Sequence, residues 1–217
     1  LGRFDFLNKN ATLKKISAMI ATTTQPEAKR VILEEYFEHE LASEAKNEFI
    51  NGQITPIAYT SDNHGLIATN FSTEIRQLLK KLGSRVYAGD RMVFSPFCNE
   101  IYYPDIVVVS GQPEFYQFKE NMQATLNPSI LVEVLSDSTE DKDRNVKWPC
   151  YREIKSLQQF FLVSQKEPSV EYYSRMEDGS SRWIYAYAND LDATIPIEGH
   201  EVSLRDIYAL VNWEETA

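Results

Sequence analysis

The sequence predicts one α/β (α+β) domain with a central mixed sheet flanked by helices, and three observations carry that expectation. Short β-branched and aromatic runs recur along the chain, from "NEFI" to "RWIYAYA". Segments with apolar residues at helical spacing fall between them. No internal repeat or long linker interrupts the 217 residues, a length that suits one well-cored domain.

Residues 1–27, with the run "ATTTQPE", read as a loosely ordered arm, which leaves 28–217 as the domain. "KRVILEEYFEHELAS" has helical spacing, and "NEFINGQITPIAY" reads as a strand pair turning at Asn51-Gly52. A second helix starts near Ser61, Asp62 or Asn63. It carries Leu66, Ile67, Phe71, Ile75, Leu78 and Leu79 on one stripe and stops at Gly83. "SRVYAGDRMVFSP" and "NEIYYPDIVVVS" are two expected strands, and "GQPEFYQFKENMQATLN" a polar connection. After the run "ILVEVL" the shape from Ser136 to Trp148 stays open, and "PCYREIKSL" is a short helix with Pro149 in its first turn. "QFFLVSQ", "SVEYYSR" and "RWIYAYA" are strands, and "HEVSLRDIYALV" is a closing helix.

A net charge of −10 argues against a broad electrostatic footprint for nucleic acid, though not against a local basic patch or a metal in an acidic cleft. No apolar stretch has the length of a membrane span and no signal peptide opens the chain. Cys98 and Cys150, far apart and without metal-ligand spacing, are expected to be reduced, which points to the cytoplasm.

Glu133 breaks the pattern of an otherwise apolar strand, pointing the same way as Leu131 and Leu135. A bare carboxylate there must shift its pKa, pair with a cation or bind a metal. Asp105 stands at the entrance of the buried run "IVVV". If the two strands adjoin, the two carboxylates meet, and a hard divalent cation relieves their repulsion. Mg²⁺ or Mn²⁺ suits one or two carboxylates, several waters and a substrate phosphate. Lys142, Arg144, Lys147 and Arg152 are the cations on offer downstream, and Asp143, Lys147 and Tyr151 share a face if that segment is helical, although Pro149 threatens the register at Trp148. The plainer alternatives are a strand-entry role for Asp105 and a metal-free ion pair between Glu133 and Lys147.

"YPDIVVV" followed by "SILVEVLSDSTEDKDRNVKWPCYREIKSLQQFFLVSQKEPSVEYYSR" resembles the Uma2 family of endonucleases, once catalogued as a domain of unknown function. The likeness runs from about residue 30 to 210, through "EAKNEFINGQI" and "HGLIATNFSTEI". It implies a restriction-endonuclease-like fold in the PD-(D/E)XK nuclease superfamily. Pro104-Asp105 matches the PD element and Glu133 the second acid. The lysine expected two residues after that acid is replaced by Leu135, and Lys147 is the position that matches it instead. Glu48, His64 and Asp143 fall where the family also carries such residues, at the rim of the site.

The reading is therefore a Mg²⁺- or Mn²⁺-dependent endonuclease for DNA, with Asp105 and Glu133 as metal ligands and Lys147 as the catalytic cation. A homodimer is the expected assembly, and no membrane partner is expected. The alternatives are a catalytically inactive binding or dimerisation module and a hydrolase of a small phosphorylated metabolite.

Overall fold

The computed structural model describes residues 30–119 and 121–213. The expected arm, 1–27, lies outside the described residues. From Val31 onward the described residues form one compact unit.

Helix α1 (Leu33–Ala42) leads into the hairpin β1 (Asn47–Ile50) and β2 (Gln53–Pro56). Asn51 and Gly52 both take positive φ, as a tight two-residue hairpin turn requires. Helix α2 (Asp62–Leu79) is capped by Ser61 and runs through a 3₁₀ turn to Gly83 in the left-handed region. It buries Ile67, Phe71, Ile75 and Leu79 along the expected stripe.

Each of the next two expected strands is divided. "SRVYAGDRMVFSP" becomes β3 (Arg85–Ala88) and β4 (Val93–Ser95), because Gly89 and Asp90 both adopt positive φ. "NEIYYPDIVVVS" becomes β5 (Glu100–Tyr102) and β6 (Ile106–Val109), separated by Tyr103, Pro104 and Asp105. The expected polar connection is a hairpin, β7 (Phe115–Lys119) and β8 (Met122–Thr125). Then follow β9 (Ile130–Leu135), β10 (Gln159–Ser164), β11 (Val170–Arg175) and β12 (Trp183–Ala188). The chain's last part holds a further hairpin, β13 (Thr194–Ile197) and β14 (His200–Ser203), and only a short helix, α5 (Leu204–Ile207), where one longer closing helix was expected.

Twelve of the described strands form two six-stranded mixed sheets rather than one, and β13 and β14 pair only with each other. The first has the order β2-β1-β5-β4-β8-β7 and the second β12-β11-β10-β9-β6-β3. Each contains one parallel pair, β4 with β8 and β9 with β10. Helix α2 covers one face of the second sheet, where Phe71 meets Phe161 edge to face. The other face carries Val107, Leu131 and Phe160, which pack with Ile50, Val93 and Tyr102 of the first sheet. All six residues of β9 are buried, Glu133 among them. Tyr102 is wholly buried, Tyr103 and Tyr172 pack on core clusters, and Tyr173 stacks on Trp148, so both tyrosine pairs belong to sheet packing.

The cysteines correct an expectation. Cys98 and Cys150 are joined in a disulfide with Cα atoms 5.8 Å apart. The turn between β4 and β5 places Cys98 over the helical segment that carries Cys150, a proximity that depends on tertiary packing. The reduced state was the ground for expecting a cytoplasmic protein, and that ground is removed. Among the described residues, no helix is long and apolar enough to cross a membrane. Since the bond spans 52 positions of sequence, Cys98→Ser should cost about 2–4 kcal/mol. Denaturant melts of the variant, and of the wild type with and without reductant, check this; coincident curves would show that the bond contributes nothing.

Candidate active site

Strands β6 and β9 run antiparallel with Ile106 opposite Val132. The same register carried one residue further sets Asp105 opposite Glu133. Asp105 Oδ2 accepts the Val134 N–H at 2.6 Å, and Oδ1 lies 2.9 Å from His64 Nε2. His64 is the third residue of α2, and its N–H donates to the capping Ser61 Oγ at 3.1 Å. Asp105 is thereby fixed from two sides, by the backbone of β9 and by the start of α2.

Glu133 finds its cation. Lys147 Nζ lies 3.0 Å from carboxylate oxygens of Glu48, Glu133 and Asp143, and none of these four side chains is more than 5% exposed. The ammonium donates a well-directed hydrogen bond to Glu133 Oε1, which also accepts the Tyr151 hydroxyl at 2.8 Å. Both bonds fall on Oε1, and Glu133 lines the cleft. Glu48 Oε2 accepts Lys142 Nζ at 2.8 Å, and its Oε1 accepts the Tyr103 N–H at 3.3 Å. Asp143 Oδ1 is buried, 3.0 Å from Lys147 Nζ.

Local helix geometry delivers Lys147. The segment left open in the sequence is an α turn, α3 (Glu140–Lys142), then a π-helical stretch (Asp143–Lys147), then a second α turn, α4 (Trp148–Tyr151). The Trp148 N–H donates to the Asp143 carbonyl five residues back. Such widened turns concentrate at functional sites. This one ends two residues before Pro149, whose missing N–H would interrupt an α ladder. The register therefore survives the proline, and Asp143, Lys147 and Tyr151 all reach Glu133 or its cation.

Burial pushes the Glu133 carboxyl well above the usual carboxylate range against the pull of Lys147, and the charges of Asp143, Asp105 and Glu48 push it further. Burial acts likewise on Asp143, with Lys147 opposing. On Glu48 burial is outweighed by Lys147 and Lys142, which hold its carboxyl low. Burial alone would lower Lys147, but the three carboxylates around it raise it well above the ordinary lysine value. It stays an ammonium ion. Tyr151 is likewise driven up, first by burial and then by Glu133.

Every site residue expected from the sequence lines one cleft of about 220 Å³: Glu48, His64, Asp105, Glu133, Asp143 and Lys147. Lys142, one of several cations on offer, joins Lys147 there, whereas Arg144 is engaged by Glu140 and Glu171. Tyr151 was visible only as the third member of a helical face; its hydroxyl bond to Glu133 could not be read from spacing. Among the described residues, one cluster places three ligand-type side chains within 4.8 Å: Cys98, Glu100 and Cys150. Its sulfurs are spent on each other. The acidic cleft is thus no closed cage. Asp105 and Glu133 both line it, and carboxylate oxygens of this kind suit a hard cation that completes its shell with water.

Comparison with known proteins follows this geometry. The family model Uma2, described as "Putative restriction endonuclease", matches residues 33–203. The "Uncharacterized protein sll1609" of Synechocystis sp. is 33% identical over 169 residues, covering 76% of this chain and 89% of that protein. A second Synechocystis protein, "Uncharacterized protein slr1290", is 28% identical over 161 residues, 74% and 83% of the two chains. Among solved structures, a "putative nuclease belonging to DUF820" from Anabaena variabilis superposes with a TM-score of 0.60 at 17% identity, over 78% of this chain and 93% of that one. That likeness shows a shared fold.

Two outcomes follow from the charge network. Lys147→Met leaves the buried Glu133 and Asp143 without a cation, Glu48 keeping Lys142, and should destabilise the protein by about 3–5 kcal/mol; adding Glu133→Gln should recover part of the loss in urea melts. Additive losses in the double variant would mean that the pair is not coupled. Glu48 has a depressed pKa, so its contribution is full above its ordinary value of 4.5 and is lost as pH falls through the lower folded value. The stability gap between wild type and Glu48→Gln should therefore be wide at neutral pH and shrink on acidification. A gap independent of pH would contradict this.

Proposed function

Since the chain belongs to the Uma2 family, we propose that it is a metal-dependent endonuclease that hydrolyses DNA phosphodiester bonds, of the PD-(D/E)XK type. The observation that carries this reading is the placement of Asp105 opposite Glu133 across adjoining strands, with Lys147 Nζ 3.0 Å from Glu133. Asp105 and Glu133 would hold Mg²⁺ or Mn²⁺, and Asp105 is already oriented for it by Val134 and His64. Such an ion, when bound, lowers the pKa of water and offsets charge at the phosphate.

The chain's own residues do the rest. Lys147 is held as an ammonium ion and is therefore not the group that takes a proton from water. It locks the Glu133 carboxylate in one rotamer and keeps the acidic cluster from repelling the phosphate. Lys142, more accessible than Lys147, is placed to leave Glu48 for a phosphate oxygen. Glu48 and Asp143 act as positioning residues, because both hold Lys147 beside Glu133.

A second reading is supported by the same closure. Three carboxylates already satisfy Lys147, the lysine of the usual half-motif is replaced by Leu135, and the net charge is −10. A nuclease-shaped binding module would have these features too. Calorimetric titration with Mn²⁺ separates the two, since the module should show no site-specific heat.

With Mg²⁺ or Mn²⁺ the purified protein should nick plasmid DNA. Asp105→Ala and Glu133→Gln should each lower the rate by about 10²–10³-fold or more, with far-UV circular dichroism unchanged. Cleavage that survives Glu133→Gln would remove that residue from the mechanism, and a substrate panel including small phosphate esters would reveal a metabolite hydrolase.

A further inference from the structure

A second cleft, of about 410 Å³, adjoins the first and shares with it His64, Asp105 and the loop from Ile57 to Thr60. The two share the His64–Asp105 pair as a common wall. Their walls differ. The arm containing Glu133 carries Lys142 and Lys147. The other arm is walled mainly by small or apolar groups, among them Ala58, Ala68, Ala88 and Pro104, and its one lysine, Lys46, is paired with Asp90.

Tyr59 lines both arms. It is the most exposed aromatic residue among those described, at 106%, and no hydrogen bond or ring contact ties it to a described residue. Tyr36, Tyr102 and Tyr151, by contrast, are fully buried. Gly65, which lines the same arm, is the fourth residue of α2, where glycine is disfavoured relative to alanine. Its backbone does not require glycine, and a Cβ there would meet nothing within 4 Å. Packing does not account for this glycine. The space in front of it is the cleft.

We propose that this second arm is a nucleobase subsite roofed by Tyr59, so that the strand cut at the neighbouring Asp105–Glu133 platform is single-stranded or locally unpaired. The inference rests on the nuclease reading of the same site and specifies its substrate class. A phosphate belongs beside Lys142, and the adjacent base enters a space walled mainly by small or apolar groups, with a free ring to stack on. A base can do so only out of the duplex stack. Stacking on one aromatic side chain tolerates any base and contributes a factor of about 5–150 in affinity. It needs no broad basic surface, which a chain of net charge −10 lacks.

The test is fluorescence anisotropy with a labelled oligonucleotide, single-stranded or as the duplex, in Ca²⁺ to permit binding without turnover. Wild type should bind the single strand more tightly than the duplex. Tyr59→Ala should weaken single-strand binding about 5–150-fold, and Tyr59→Phe should retain it. An abasic site walked along the strand should, at one position, erase the difference between wild type and Tyr59→Ala. Gly65→Met, which fills the cleft and favours the helix, should melt no lower than wild type yet bind more weakly. Equal binding by wild type and Tyr59→Ala, no sensitive abasic position, or duplex bound as tightly as single strand would each overturn the subsite while leaving the nuclease reading intact. Failure of wild type to bind either form would overturn both.

Discussion

Lys147 is an ammonium ion withdrawn from water and surrounded by three carboxylates, and the rest of the site is arranged by that fact. One buried pair seldom recovers the desolvation of two charges. Here one cation serves oxygens from β1, β9 and the π-helical stretch. Each element is therefore tied to the other two, since moving any of them would strand a charge in the core. The apolar clusters supply the frame, with Tyr102, Phe160 and Leu162 packed around Tyr151 beneath Glu133. Neither would hold alone: the frame excludes the water that the charges would otherwise take, and the charges fix the register of the frame.

The site also lies where the two sheets meet. Glu48 belongs to the first sheet and Glu133 to the second, and the chain passes from one to the other through Tyr103, Pro104 and Asp105. The crossing is pinned on both sides: the Tyr103 N–H donates to Glu48, and the Asp105 carbonyl accepts the Gly89 N–H at 2.7 Å. Gly89 belongs to the other crossing, between β3 and β4. Two crossings brace each other at the point where the cleft opens. An acidic residue can stay exposed to ligand there while its neighbours on either side are buried.

How much of this was legible varies with the physics behind each feature. Glu133 could be found because a charge within an apolar strand is costly, and Asp105 because it abuts a buried run. The lysine was narrower than composition alone allowed but not unique, because Lys142 and Lys147 both end on Glu48. The division into two sheets was not legible. "VYAGDRMVF" reads as one strand until Gly89 and Asp90 are known to turn, and alternation says nothing of which sheet a strand joins. The hairpin β7–β8 was missed because its strands are only half-buried, so the apolar signal is weak. Hairpin β13–β14 contains Pro196, which argues against a strand unless it lies at an edge. The pairing of Cys98 with Cys150 depends on contacts that no spacing encodes.

That covalent link divides the residues of the cleft. Asp105, Glu133, Asp143 and Lys147 all fall within the stretch of chain it closes, while Glu48 and His64 lie outside. If the protein is unfolded with its sulfurs still joined, the first four remain tethered in a single ring and their search for one another is shortened. The other two must return from a free segment. The inner acids and their lysine thus share a memory of the native state that the outer pair lacks, and reduction erases it.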